Sequence, residues 1–155
     1  MAVSQAETLS RAEATERVRQ AKRRAGLSWA DVAKKVGRSK EWTTAALLGQ
    51  ASMSADEATR ACEALGLGPE VAMALQQCPS KGSLGTTVPT DPLIYRLHEI
   101  TQVYGTTIKE MIHEEFGDGI MSAIDFELTV ERRPDPHGDR VVITYNGKFL
   151  PYRKW

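Results

Sequence analysis

The eleven residues from Phe116 to Phe126 constrain the fold most, because the chain changes there from a helical to an extended pattern. Gly117 follows a helical pattern, and helices commonly end on a glycine because it adopts positive φ without a steric clash. From Ser122 onward apolar and polar residues alternate, which predicts a strand with one buried face. The alternating apolar residues are Ile124, Phe126, Leu128 and Val130. Ser122 is therefore predicted to lie at a helix–turn–strand junction.

The apolar neighbours of Ser122 are unusual surroundings for a hydroxyl, which is unfavourable when buried without a hydrogen-bond partner. Two interpretations are open. In the simpler one, Ser122 is a turn serine that bonds its own backbone. In the other, the hydroxyl is placed there for a functional role.

Length and charge exclude several classes of protein. A chain of 155 residues is long enough for one moderate domain or two small ones. The formal net charge is zero, so the chain lacks the long-range field of a typical nucleic-acid binder. No apolar run approaches the roughly 20 residues of a membrane span, and the N-terminus lacks the apolar core of a secretion signal. We expect a cytoplasmic protein without a membrane partner.

The two cysteines, Cys62 and Cys78, have neither metal-ligand spacing nor a disulfide framework. We interpret both as reduced residues that pack between helices.

Residues 1–80 predict an all-helical domain of short helices separated by glycines. Ser28 with Asp31 and Ser54 with Glu57 have the spacing of capping boxes, which mark helix N-termini. The first expected helix covers 4–24, and later ones begin at Ser28, Ser39, Ser54 and Pro69 and end near Gly37, Gly49, Gly66 and Gln77.

This layout resembles the helix-turn-helix domain of repressors, so DNA binding has to be weighed. The second helix of that motif should project Arg, Asn or Gln toward base edges. The corresponding segment, from about Ser39 to Leu48, carries one cation and one anion and ends in Ala-Ala-Leu-Leu, which suits burial. The basic cluster Lys22-Arg23-Arg24 is explained by the preference of cations for a helix C-terminus. We therefore expect a scaffold or subunit-contact role and no nucleic-acid partner.

The segment 79–91 is rich in Pro, Gly, Ser and Thr and predicts a domain boundary. Residues 81–155 are predicted to form the second domain. Asp91 and Pro92 predict a helix start. This helix is expected to end at Gly105, and a second one, capped by Thr107 with Glu110, to run to Phe116. The first helix carries an apolar stripe of Leu93, Leu97, Ile100 and Tyr104.

Three strands are predicted beyond the second helix. After the strand at Ser122 and a turn at 134–138, the segment Val141–Tyr145 predicts a second strand. Asn146-Gly147 is a strong hairpin signal and predicts a third strand at Phe149-Leu150. The fold class is thus α+β. Because so few elements cannot cover both sheet faces and both edges, we expect an obligate oligomer.

Arg96 and Glu99 are the candidate charged pair, since residues three apart on a helix contact each other. They are either a solvated ion pair or an anion site, because the guanidinium fork matches small planar anions. His98 and His113 lie without any metal-binding or base–nucleophile spacing, and we interpret them as ordinary histidines. The sequence has no nucleophile elbow, phosphate-binding glycine loop or metal constellation.

Taken together, these residues resemble the cyanase family, also called cyanate hydratase or cyanate lyase. The similarity runs from about Trp29 to Pro151, whereas the first twenty residues and the last four match poorly. The matching motifs, in family order, are Ala45-Ala46-Leu47-Leu48-Gly49, Pro89-Thr90-Asp91-Pro92, Tyr95-Arg96, Val103-Tyr104-Gly105, Phe116-Gly117-Asp118-Gly119-Ile120, Ser122-Ala123-Ile124 and 146–151.

The resemblance implies a carbon–nitrogen lyase that decomposes cyanate with bicarbonate as second substrate, through carbamate, to ammonia and carbon dioxide. It implies a catalytic trio of Arg96, Glu99 and Ser122, with Glu99 either orienting Arg96 or relaying a proton. It also implies a homodecamer of five dimers whose small C-terminal domains interlock, active sites between subunits, and no metal or organic cofactor. Two alternatives are a DNA-binding regulator with a C-terminal oligomerisation domain and an oligomerisation module without activity.

Overall fold

The computed structural model describes residues 8–155, which divide into two compact units between Ser83 and Leu84. The first unit contains only helices, and the second contains one long helix and an antiparallel pair of strands, so the α+β class is confirmed. The elements are α1 Arg11–Ala25, α2 Trp29–Val36, α3 Lys40–Leu47, α4 Ala55–Leu65, α5 Pro69–Leu75, α6 Pro92–Phe116, β1 Gly119–Arg133 and β2 Arg140–Pro151.

The helix ends of the first unit follow local sequence signals. The predicted capping boxes at Ser28 and Ser54 are confirmed, and Gly26, Gly37 and Gly66 end their helices in the left-handed conformation. The predicted start of the first helix was wrong for 8–10, and 4–7 lie outside the described residues. Ser10 forms its own capping box with Glu13, which fixes the helix start at Arg11.

The first unit encloses an apolar core to which all five of its helices contribute. Its largest fully buried apolar side chains are Leu47, Leu75, Val18, Val32, Val36 and Val71. Cys62 lies in this core as a free thiol, as predicted, whereas Cys78 is also free but exposed. The prediction that Cys78 packs between helices was wrong, because the residue follows the end of α5.

The prediction of two helices between Asp91 and Phe116 was wrong, because α6 is one continuous helix of 25 residues. Gly105 lies inside it with helical neighbours and not in the left-handed conformation. A glycine costs about 1 kcal/mol in a helix interior, whereas a break would leave several backbone groups without partners. No helix within residues 8–155 is long and apolar enough to cross a membrane.

The prediction of three strands was also wrong: β1 and β2 form a two-stranded hairpin. The turn lies between Arg133 and Arg140, where the side chain of Asp135 accepts a hydrogen bond from the backbone N–H of His137. Asn146 and Gly147 lie inside β2 and not in a turn, and the predicted third strand is the end of β2. Of the two predicted reversals, the proline-rich turn is formed. Strand β2 continues through Asn146 and Gly147 because β1 is long enough for its first residues to pair with Phe149, Leu150 and Pro151.

The hairpin is interrupted by a bulge at Ser122. Met121 pairs with Phe149, and the next paired residue of β1, Phe126, faces Gly147. The four residues 122–125 therefore lie opposite Lys148 alone. A bulge of this kind ejects residues from the ladder and redirects their side chains.

The second unit leaves its apolar side chains exposed. The buried apolar side chains of the core all belong to the first unit. Helix α6 buries none of its residues, and Leu93, Ile100 and Tyr104 of the predicted stripe are 73%, 50% and 56% exposed. Monomeric proteins rarely expose contiguous apolar surface of this extent, so the oligomer expected from the sequence stays a prediction that this surface supports.

Candidate active site

Arg96 and Glu99 lie near the start of α6. The side chain of Asp91 fixes this start, since its Oδ1 accepts hydrogen bonds of 3.0 Å from the backbone N–H groups of Leu93 and Ile94. One turn further, Nη1 of Arg96 donates to Oε2 of Glu99 at 2.6 Å. The two side chains are 63% and 46% exposed. The pair therefore lies at the surface of the single chain, where a small anion can reach the guanidinium.

An aromatic contact also restrains the guanidinium. Cζ of Arg96 lies 5.4 Å from the ring centroid of Tyr95, within cation–π range. The Tyr95 ring in turn lies 6.0 Å from that of His98. Sequence reasoning named Tyr95 only within the Tyr95-Arg96 motif and gave it no role, because adjacent helical residues do not normally face each other.

Ser122 is 5% exposed and is the one buried polar side chain of the second unit among the described residues. Its Oγ accepts hydrogen bonds from the backbone N–H of Ile124 at 3.1 Å and of Asp125 at 2.9 Å. This is the geometry of a turn serine. Because these two bonds occupy both acceptor positions of the hydroxyl, its hydrogen is left as a donor for a further group.

The structure brings Arg96 and Glu99 together but does not bond either of them to Ser122. Within residues 8–155 of one chain, the Ser122 hydroxyl is hydrogen-bonded to its own bulge alone. Arg96 likewise contacts Glu99 and Tyr95 only. The site of a single chain thus has two parts, an exposed cation–carboxylate pair on α6 and a hydroxyl donor on β1.

The histidines have no catalytic geometry in this chain. Nε2 of His98 is enclosed without a hydrogen-bond partner, and neither His98 nor His113 donates to or accepts from Ser122. Across residues 8–155, no three His, Cys, Asp or Glu side chains are grouped so that they could hold a metal ion.

Two family models cover almost the whole chain. The model described as the N-terminal domain of cyanate hydratase matches residues 11–79, and that of the cyanate lyase C-terminal domain matches residues 86–154. The two matches together include all three candidate site residues.

Similar proteins agree with these matches. The cyanate hydratases of Cupriavidus necator and Methylibium petroleiphilum are each 56% identical to the chain over 147 residues, which are 95% of this chain and all of each relative. The crystal structure of cyanase from T. urticae superposes with a TM-score of 0.80 at 40% identity, over 89% of this chain and 96% of that one. On this evidence from sequence and fold together, the chain is a member of the cyanate hydratase (cyanate lyase) enzyme family.

Proposed function

We propose that this enzyme decomposes cyanate with bicarbonate as its second substrate. An oxygen of bicarbonate attacks the cyanate carbon, and the adduct loses carbon dioxide and takes up one proton to give carbamate. Carbamate takes up a second proton and its carbon–nitrogen bond breaks, giving ammonia and a second carbon dioxide. The observation that carries the proposal is the Arg96–Glu99 pair on α6 of a chain 56% identical to cyanate hydratases.

Arg96 supplies the positive charge that this reaction needs. Both substrates are anions, and their mutual repulsion grows as the surroundings become less polar. A guanidinium that is held in place by Glu99 and Tyr95 lowers that repulsion without having to reorganise. Holding two small reactants in contact also removes much of the entropic barrier.

Ser122 acts as a hydrogen-bond donor to the developing negative charge. Its two acceptor positions are filled by backbone N–H groups, so the O–H remains available to donate to a ligand. Fixed donors of this kind contribute about 3–4 kcal/mol to a transition state. The same two bonds make Ser122 a poor nucleophile, and no histidine contacts it to act as a base.

Glu99 orients Arg96 in this proposal. The hydrogen bond between them is charge-assisted and, at 2.6 Å, is at the short end for such bonds. In the alternative role, the same carboxylate relays a proton from bicarbonate. The kinetics of Glu99→Gln and Glu99→Ala distinguish the two roles.

The complete site is formed between subunits, with residues 81–155 as the catalytic and dimerisation domain. The second unit leaves large apolar side chains exposed, and another copy of the chain would cover them. The same copy would bring an Arg96–Glu99 pair and a Ser122 hydroxyl together, because these two parts are not bonded within one chain. We extend the proposal to five interlocked dimers in a cytoplasmic decamer without a metal or organic cofactor.

The test is the release of ammonia from cyanate with and without added bicarbonate. We expect release only with bicarbonate, and carbon-13 label from bicarbonate in half of the carbon dioxide. Arg96→Lys should lower kcat/KM at least about 100-fold, because an ammonium cannot replace the bidentate fork.

A matched control is Arg60→Lys. Arg60 forms a similar surface pair with Asp56 at 2.7 Å, but on α4 of the first unit. Its substitution should leave activity unchanged. Bicarbonate-independent turnover, or a fully active Arg96→Lys, would refute the proposal. No turnover combined with salt-dependent DNA binding would favour a regulator, and neither activity would favour an oligomerisation module.

A further inference from the structure

The bulge at Ser122 depends on the residue that faces it across the hairpin. Four residues of β1, 122–125, lie opposite a single residue of β2, Lys148. Pairing resumes where Phe126 of β1 faces Gly147 of β2. Ile124, in the middle of this ejected segment, is 98% exposed. The segment keeps its shape through the two backbone N–H bonds to the Ser122 hydroxyl.

Gly147 is closely surrounded by the residues at the start of the bulge. A Cβ at this position would collide with the carbonyl oxygen of Ser122 and would lie 2.6 Å from Cγ and 3.3 Å from Sδ of Met121. The φ angle of Gly147 is not positive, so its backbone conformation is open to other residues. What the position requires is therefore space for the Ser122 peptide.

We propose that Gly147 is a positioning residue for the hydroxyl of Ser122. The backbone of β2 approaches the Ser122 carbonyl as closely as it does only because Gly147 has no side chain. This approach restrains the peptide between Ser122 and Ala123, from which the chain turns so that the N–H groups of Ile124 and Asp125 reach Oγ. The inference rests on the proposed function, in which the Ser122 hydrogen is the donor to the reacting anion.

The consequence of a methyl group at Gly147 follows from this geometry. Met121 can move its flexible side chain away, but the backbone oxygen of Ser122 can yield only if its peptide rotates or shifts. That movement separates Oγ from the N–H groups of Ile124 and Asp125 and turns the hydroxyl away from the substrate. A displacement of about 1 Å in a catalytic group costs about 100-fold in rate.

The experiment compares Gly147→Ala with Ser122→Ala, with the double variant and with a steric control. Gly119→Ala is the control, because a Cβ there would also collide with backbone, namely the carbonyl oxygen of Leu150, at a pair of the hairpin outside the bulge. For each protein, kcat and KM for cyanate, the oligomeric state and amide hydrogen exchange of Ile124 and Asp125 are measured.

We expect Gly147→Ala to lower kcat about 100-fold with KM changed less than about threefold, since Arg96 still binds the anion. The amides of Ile124 and Asp125 should exchange faster. The double variant should be no slower than Ser122→Ala alone, because both changes remove the same donor. Gly119→Ala should lose less activity and keep the protection of these two amides.

Several results would overturn the inference without touching the proposed function. These are an active Gly147→Ala beside an inactive Ser122→Ala, additive losses in the double variant, or equal losses in the two alanine-for-glycine variants. If Gly147→Ala does not assemble, the double variant Met121→Ala/Gly147→Ala, which removes one of the two collisions, is compared with Met121→Ala. If the double variant also fails to assemble, Gly147 serves folding alone. A fully active Ser122→Ala would instead refute the role of Ser122 in the proposed function.

Discussion

Nη2 of Arg11 lies 2.7 Å from the carbonyl oxygen of Ala51 and donates a hydrogen bond to it across 40 residues of sequence. The same nitrogen donates to the carbonyl of Ala46 at 2.9 Å, and Nη1 donates to that of Ala74 at 3.3 Å. Ala46 and Ala74 lie in the last turns of α3 and α5, where carbonyl groups have no partner within the helix. One guanidinium thus joins three segments of the first unit, although burial lowers its pKa.

Replacing Arg11 with methionine should lower the free energy of unfolding by about 3 kcal/mol. The variant takes the charged donor from all three carbonyls and leaves that of Ala51 unpaired, at about 1–3 kcal/mol. The carbonyls of Ala46 and Ala74 keep the backbone N–H groups of Gly49 and Gln77 as donors, and the cost of burying a charge is removed. Chemical denaturation of the full chain measures the change. The control is Arg17→Met, which removes an ion pair with Glu70 between side chains that are about half exposed. Its free energy of unfolding should change by less than about 1 kcal/mol. Equal losses in both variants would contradict the assignment.

Glu57 should make the protein sensitive to acid. Its side chain is 7% exposed, and its pKa lies below the usual range. The main cause is the hydrogen bond from the backbone N–H of Ser54. Burial raises the pKa, and the hydrogen bond from Arg38 lowers it further. A carboxyl whose pKa is lower in the folded state stabilises the fold above its unfolded pKa, about 4.3. That stabilisation is lost as the pH falls through the folded value.

Glu57→Gln should therefore be less stable than the native chain at pH 7, by about 1.5–3 kcal/mol, as expected for hydrogen bonds to a charged group. The difference should shrink below about pH 4. Unfolding by urea at several pH values tests this. Glu63→Gln, a change at an exposed residue of the same helix, is the control. A Glu57→Gln deficit that is independent of pH would show that the charge is not responsible.

The two proposed roles of Glu99 lead to different kinetics. If its carboxylate orients Arg96, Glu99→Gln keeps an acceptor for Nη1 and should lower kcat/KM only about tenfold, whereas Glu99→Ala should lower it about 100-fold. The pH dependence of kcat should be the same in Glu99→Gln as in the native enzyme. Equal losses in both variants, with a limb of the pH profile missing, would assign the proton relay to Glu99 instead.

The two cysteines should differ in reactivity. Burial, with a smaller contribution from Glu70, raises the pKa of Cys62 to about 11. At pH 8 only about one Cys62 in a thousand would be a thiolate, and the thiolate is the reactive form. A disulfide reagent such as DTNB should therefore titrate one thiol per folded chain, the exposed Cys78, and both thiols in denaturant. Cys78→Ser should abolish the fast reaction, and a fast Cys62 in that variant would contradict the buried position.

The features that were predictable from sequence are those set by neighbouring residues. Ser28 and Ser54 cap their helices because the capping partner lies three residues away in each case, and the Arg96–Glu99 contact follows from the same spacing. The burial of Ser122 was also indicated by its apolar neighbours. The shared site of Ser122 and Arg96 stays a prediction, because the two side chains are not bonded to each other within residues 8–155 of one chain. Residue spacing does not determine how distant segments, or separate chains, meet.

Glycines account for the main errors. From sequence, Gly105 predicts a helix end and Gly147 a turn, because glycine often occupies positions that need a positive φ. Neither residue has a positive φ. Gly147 is present because another strand passes too closely for a side chain, and a contact of that kind is visible only once the pairing of β1 with β2 is known.

The bare surface of α6 ties the working state of this enzyme to its abundance. A helix of 25 residues, about 37 Å long, that fully buries none of its residues gains little from folding alone. In the proposed oligomer its stability comes from association and therefore rises with protein concentration by mass action. If activity requires the proposed oligomer, cyanate breakdown per chain should fall as the protein is diluted.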